Sequence, residues 1–263
     1  MAKRNLVSAL LWPAFFSVLG VAILIGLGVW QLHRLAWKEA LIAEVSSRVG
    51  APPVALPPEL EWPRLAPADY GYRHVRVAGD YDFAHQALIF RALETPRGRY
   101  GGPGWLVLTP LRLADGSTVI VNRGFVPDDK KAAFLAGGPA NGPAKAEVTG
   151  LMREPESRTW FTPADDPASG QWFTRDPAAI AAAMKLTRVA PFTIDADSGP
   201  DPAALPEGGE TILSFPNNHL SYACTWFGMA AALIGVFIAF AWRKAEDLRR
   251  PSAEKPALGG RSR

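Results

Sequence analysis

Two long apolar runs without a charged residue, one near each end, leave this chain few ways to fold. The first is "WPAFFSVLGVAILIGLGVWQL", Trp12 to Leu32, and the second runs from Ser221 to Trp242. They hold 21 and 22 residues respectively. A helix needs about 20 such residues to cross roughly 30 Å of hydrocarbon. Trp12 and Trp30 flank the first run, and Trp226 and Trp242 belong to the second. Amphipathic rings of this kind favour the headgroup level. The expected organisation is a tail at 1–11, a span at 12–32, a domain over 33–220, a second span at 221–242 and a tail at 243–263. Lys3 and Arg4 would suit the start of a signal peptide, but the apolar core exceeds the usual ~7–15 residues and no small-x-small site follows. A retained anchor is the expectation.

Charge orients the spans. The two tails together carry nine basic and three acidic residues, net +6, whereas residues 33–220 carry 19 basic and 22 acidic, net −3. Positive charge stays on the cytoplasmic side, so both termini are expected in the cytoplasm and the domain outside it, although Arg34 and Lys38 follow the first run on the outer side. The overall charge of +3 is thus a topology signal. No basic stripe is interleaved with stacking aromatics, so nucleic acid is not an expected partner. The only cysteine, Cys224, lies in the second run and excludes an intrachain disulfide.

The middle reads as α+β, with an antiparallel, β-rich extracytoplasmic domain between two transmembrane helices. "HRLAWKEALIAEVSSRV" keeps a three- and four-residue apolar spacing, which predicts a helix packed on the domain or lying on headgroups. Six prolines over 50–69 predict an extended linker. "YRHVRVAGDYD" and "QALIFRAL" read as strands. "GWLVLTPLRL", "ADGS" and "TVIVNRGFV" read as a hairpin turning at Asp115-Gly116. "AEVTGLMRE" and "PFTIDAD" are further strands. "DPAAIAAAMKL" is a short helix with Asp176 as N-cap and Pro177 in its first turn. Pro/Gly-rich loops occupy 136–144 and 197–210.

Few motifs carry chemistry. "GGPGW" at 101–105 precedes a strand and no Lys-Ser/Thr follows, so it is a turn leading to Trp105 rather than a phosphate cradle. Asn122 and Arg123 in "VNRGFVP" sit at a strand end, where Arg123 either clamps a carboxylate or lies on the surface. No G-x-S-x-G, H-E-x-x-H or C-x-x-C occurs, and His33, His74, His85 and His219 are widely spaced. The scattered methionines do not make a copper site. No enzyme chemistry is promoted. His219, at the mouth of the second run, is open to three explanations: a hydrogen bond to a headgroup or to the domain, a proton path, or ligation of a metal cofactor.

"GVWQLHRLAWKEALI", "YRHVRVAGDYD", "GGPGWLVLTPL", "VNRGFVP" and "NNHLSYACTWFG" resemble, in order, the recurring blocks of the Surfeit-locus-one family and cover most of the chain from 28 to 243. Phe125 departs from the Trp common there, and residues 50–69 and 155–170 match no block. The resemblance implies a non-enzymatic factor for assembly of haem-copper cytochrome c oxidase in the bacterial inner membrane. It implies association with haem a and with its insertion into subunit I, with haem A synthase as a further partner. The family histidine maps onto His219, which would ligate the iron. Tyr222 and Trp226, three and seven positions on, share its helical face and would wall the porphyrin, or else pack the helices together. Lipid around the span would take the hydroxyfarnesyl tail, and Arg34, Arg73 or Arg123 would meet the propionates. His33 is a weaker second ligand. The rival implication is a scaffold that holds oxidase subunits or haem A synthase and binds no cofactor.

Overall fold

A computed structural model describes residues 6–137, 144–201, 203–213 and 215–249. The charged tail positions that orient the spans, Lys3, Arg4, Arg250, Glu254, Lys255, Arg261 and Arg263, lie outside the described residues, as does most of the Gly/Pro/Ala loop at 136–144. The chain divides into two units, Met1–Ile42 with Phe215–Arg263, and Ala43–Ser214.

The first unit holds most of helix α1, Leu6–Val49, and all of helix α5, His219–Arg249. Both are long and apolar enough to cross a bilayer, and each contains one of the charge-free runs. Their large apolar side chains point outward: Phe15, Phe16, Ile23, Val236, Ile238 and Phe240 are all exposed. A core helix of a soluble domain would hide them; lipid lets them face out. The helical pattern expected after Leu32 is the continuation of α1. Its last turn, in the second unit, packs on the domain: Val45 is buried and Arg48 donates to the carbonyls of Ala68 and Gly71 at 2.8 and 2.9 Å.

The second unit is built on one eight-stranded sheet. Its strands are β1 (Val54–Ala55), β2 (His74–Tyr81), β3 (Ala87–Leu93), β4 (Gly102–Arg112), β5 (Thr118–Pro127), β6 (Lys145–Arg153), β7 (Gln171–Trp172) and β8 (Val189–Ala196). Between them lie short helices α2 (Pro67–Tyr70), α3 (Lys131–Ala136) and α4 (Pro177–Ala183). The order is β1-β2-β6-β8-β5-β4-β3-β7, and β2 also pairs with the far end of β4 through Asp80–Arg112 and Tyr81–Leu111. Strands β2, β6, β8, β5 and β4 therefore close into a ring, which removes most of the exposed edge that an open sheet would present.

The expected hairpin forms as β4–β5. Gly116 takes φ +80° in its turn, and Asp115 accepts from the backbone and hydroxyl of Ser117 at 2.9 and 2.6 Å. The expected cap also forms: Asp176 accepts from the Ala178 and Ala179 amides at 2.9 and 3.2 Å, with Pro177 opening α4.

Two expectations are corrected. The sheet is mixed, not antiparallel: β5–β8, β1–β2 and β3–β7 pair in parallel. Strand β8 enters late in the chain between β6 and β5, antiparallel to the first and parallel to the second. The choice is made by burial across distant segments, which local alternation does not encode. Residues 50–69 are also no free linker. They form β1, a 3₁₀ segment at Glu59–Arg64 and the start of α2, because Trp62 and Tyr70 are large enough to repay ordering the prolines around them. Both rings pack on Phe192 with centroids 5.7 and 5.4 Å away.

Strand β5 divides the core. Val119 and Val121 join the ring interior with Val75, Val77, Leu111, Val148, Met152 and Phe192. Ile120 and Phe125 face the opposite way, toward Ile89, Leu108, Trp172 and Ile180 of α4. A strand covered on both faces reads as a near-continuous apolar run, as "TVIVNRGFV" does. Gly124 within it has φ +135°, and a Cβ there would stand 2.2 Å from the Glu207 carbonyl oxygen. The neighbouring Phe125 amide donates to that same carbonyl at 2.8 Å. Gly124→Ala combines a forbidden φ with a backbone collision. It is expected to lower unfolding free energy by roughly 2–3 kcal/mol, read from the denaturant midpoint in detergent at unchanged slope.

Candidate functional site

The two long helices approach each other where side chains are small. A Cβ on Gly28 would sit 2.6 Å from the Phe227 ring, and one on Gly20 would sit 2.9 Å from Leu233. Ala223 and Ala230 of α5 are buried. Lipid supplies no hydrophobic drive between spans, so close packing of small residues and interhelical hydrogen bonds hold such pairs. The successive contacts Gln31–His219, Gly28–Phe227 and Gly20–Leu233 run in opposite senses along the two helices, so the pair is antiparallel.

His219 is the first residue of α5 and is half-buried. Its Nδ1 lies 2.7 Å from Oε1 of Gln31, a residue only 9% exposed. With the amide oxygen as acceptor, Nδ1 carries the proton and Nε2 keeps the lone pair. Nε2 has no hydrogen-bond partner among the described residues, which leaves its lone pair unengaged there.

At about 100° per residue, Trp226 falls about 20° from His219 around α5, Ala223 about 40° to the other side, and Tyr222 about 60°. His219, Ala223, Trp226 and Ala230 thus form the face turned to α1. Trp226 is half-buried, and its Nε1 is buried without a hydrogen-bond partner among the described residues, as is Oδ1 of Asn217. Tyr222 stands on the flank, 55% exposed. The structure therefore brings His219 and Trp226 into the seam and sets Tyr222 beside it.

On α1 the same geometry separates the remaining candidates. Arg34 and Lys38, three and seven residues after Gln31, share its face. Arg34 covers the Trp37 ring at 4.4 Å, and Lys38 lies 5.4 Å from the Phe215 ring centroid. His33, two residues after Gln31, points to the opposite side and is exposed. Arg73 and Arg123 belong to the other unit. Arg73 is exposed. Arg123 is half-buried rather than on the surface: it stacks on Tyr81 and Phe83 at 5.2 and 4.9 Å, and burial pushes the Tyr81 hydroxyl up to about 12. Sequence pattern alone does not single out Gln31, although it is the only amide in the first apolar run.

Family comparison agrees with this arrangement of blocks. The SURF1 family model matches residues 18–231. The chain belongs to the SURF1 family. Mouse Surfeit locus protein 1 is 36% identical over 243 residues, covering 88% of this chain and 75% of the mouse protein. The human protein is 36% identical over 220 residues, covering 79% and 70%. A SURF1-like protein of Drosophila melanogaster is 36% identical over 232 residues, covering 83% and 74%.

The second unit of this SURF1 chain contains a buried polar cluster that the sequence did not reveal. Asp195 accepts from Asn122 at 3.0 Å, Arg175 at 3.1 Å and Thr211 at 3.0 Å. Glu156 pairs with Arg91 and Arg175 beside a cavity of about 670 Å³. Burial alone would raise the Glu156 carboxyl, but Arg175 and Arg91 outweigh it and hold it below its usual range. Arg153 also lies 3.6 Å from Asp195, so three arginines share two carboxylates and each guanidinium has an acidic partner. No group of three or more His, Cys, Asp or Glu is placed to hold a metal among the described residues.

His74 has a structural role of its own. Its Nδ1 meets the Ala51 carbonyl at 3.0 Å and its Nε2 the Asp197 carboxylate at 2.8 Å. Burial opposes the charged ring, but these two acceptors outweigh it and raise the His74 pKa. A raised folded-state pKa stabilises the fold fully below the unfolded value of about 6.5 and loses that contribution as pH climbs through the folded value. The difference in unfolding midpoint between the native chain and His74→Gln is therefore expected to shrink as pH rises from 5.5 to 8.5, followed by denaturant titration across that range.

Proposed function

We propose that this chain is a non-catalytic assembly factor for haem-copper cytochrome c oxidase, carrying haem a as cargo on His219 for delivery to subunit I. Family membership supports the assembly role. The observation that carries the haem assignment is the Nδ1–Oε1 contact at 2.7 Å, which leaves the Nε2 lone pair unengaged at the end of an apolar helix. Haem a supplies an iron that takes a neutral imidazole and a hydroxyfarnesyl chain that lipid solvates.

The residues present suit that cargo. His219 offers one nitrogen and has it oriented by the other. Trp226 offers a flat ring and an N–H in the seam that has no hydrogen-bond partner among the described residues. Tyr222 offers an exposed ring beside it. Arg34 and Lys38 put positive charge on the Gln31 face of α1, beyond the apolar run, where carboxylates are best met. A single protein ligand suits a carrier, because release breaks only one bond. His33, on the far side of α1, has no part in it. We place the domain on the extracytoplasmic side of the inner membrane with both termini in the cytoplasm, and haem A synthase as the donor partner. The competing scaffold role draws on Trp226, whose half-buried position is also that of a packing residue.

His219→Ala is expected to lose haem from protein purified at equal expression while both helices still insert, since Ala is tolerated in a span. Tyr222→Phe keeps the ring and is expected to retain most of it. Trp226→Ala is expected to retain less. Equal haem per protein in native and His219→Ala chains would remove His219 from the site. A deletion strain is expected to make less haem-a oxidase, with normal turnover in the enzyme that assembles; normal oxidase content would remove the assembly role.

A further inference from the structure

An amide inside an uncharged span needs a reason, because burying one without a hydrogen-bond partner is costly. Gln31 is 9% exposed and spends its oxygen on a single group, Nδ1 of His219, across the helix pair. The choice of nitrogen matters. An acceptor on Nδ1 holds the proton there, fixes the rotation of the ring and leaves the lone pair on Nε2, which is the unengaged nitrogen. Histidines that bind metals are commonly held in this way by an acceptor on their other nitrogen, which also raises the basicity of the ligating one.

Resting on the haem reading above, we infer that Gln31 is the positioning residue of the site. It selects the Nδ1–H tautomer of His219, aims Nε2 at the cargo iron and tunes the strength of that bond. Gln31 touches neither iron nor porphyrin in this role. The small residues around it serve the same end. Gly28, three residues earlier on α1, lets the Phe227 ring lie against the backbone and brings the helices close enough for a direct Gln–His hydrogen bond. A larger residue there would push the amide out of reach.

A packing role alone would make Gln31 an interhelical tether, indifferent to which ring nitrogen it holds. Two measurements separate the roles. The first uses the haem-free full-length chain in detergent, with histidine ¹⁵N labels and His219 assigned by its absence in His219→Ala. Nδ1 is expected to be protonated and Nε2 bare in the native chain, with the proton shifting to Nε2 in Gln31→Leu. A native ring protonated on Nε2 would mean the amide presents its NH₂ group, and overturns the inference.

The second measurement uses haem a. Gln31→Leu is expected to weaken binding roughly 10- to 100-fold. Gln31→Glu, which keeps an acceptor, is expected to restore it and to raise the iron–histidine stretching frequency in the ferrous resonance Raman spectrum. Affinity and stretch unchanged in both variants overturn the positioning role. If Gln31→Leu fails to fold, the native tautomer and Gln31→Glu still decide. If His219→Ala retains its haem, the haem reading fails by itself, while the haem-free tautomer measurement still reports whether Gln31 sets the ring.

Discussion

A helix in lipid satisfies its own backbone, so two spans can recognise each other only through side chains. Here that recognition reduces to a few contacts. Gly28 and Gly20 admit Phe227 and Leu233, Ala223 and Ala230 keep the α5 face flat, and Gln31 meets His219. The hydrogen bond depends on the close approach, and the unengaged Nε2 lone pair depends on the hydrogen bond. A histidine at the end of an apolar helix is thereby turned from an ambiguous residue into an oriented base.

The domain solves a different problem. Its ring of five strands closes through a short β2–β4 pairing, and β5 is covered on both faces. Two further anchors hold the loops. Glu207 accepts from the Arg99 and Tyr100 amides at 2.6 and 3.0 Å, and Glu210 from the Arg97 and Gly98 amides at 3.0 and 2.5 Å. The segment that leads toward α5 is thus tied to the segment that leads into β4. Charge-assisted bonds to backbone N–H groups are among the stronger hydrogen bonds available. The domain's stability accordingly rests on its own apolar clusters and these carboxylates, with no disulfide.

Much of this was legible in the sequence because it is local. Spans follow from runs of uncharged residues, the β4–β5 hairpin from alternation around Asp115-Gly116, and α4 from Asp176 and Pro177. What escaped is non-local. The parallel seating of β8 beside β5 and the closure of β2 on β4 depend on which distant faces need covering. Proline density in 50–69 suggested a linker and concealed the anchoring value of Trp62 and Tyr70. At the candidate site, His219, Tyr222 and Trp226 could be named from spacing and resemblance. That Trp226 turns into the seam and Tyr222 to its flank required the helix pair. Gln31 was visible as a lone amide in an apolar run, but its partner lies 188 residues away.

The central claim is that one chain offers one oriented imidazole to one haem. It is tested most directly by optical titration of the purified, haem-free native chain with haem a in detergent, monitored at the Soret band. The account predicts saturation at one haem per chain, with a spectrum of histidine-ligated iron. A titration with no shift beyond that of haem in detergent alone would contradict it and leave the chain as a scaffold.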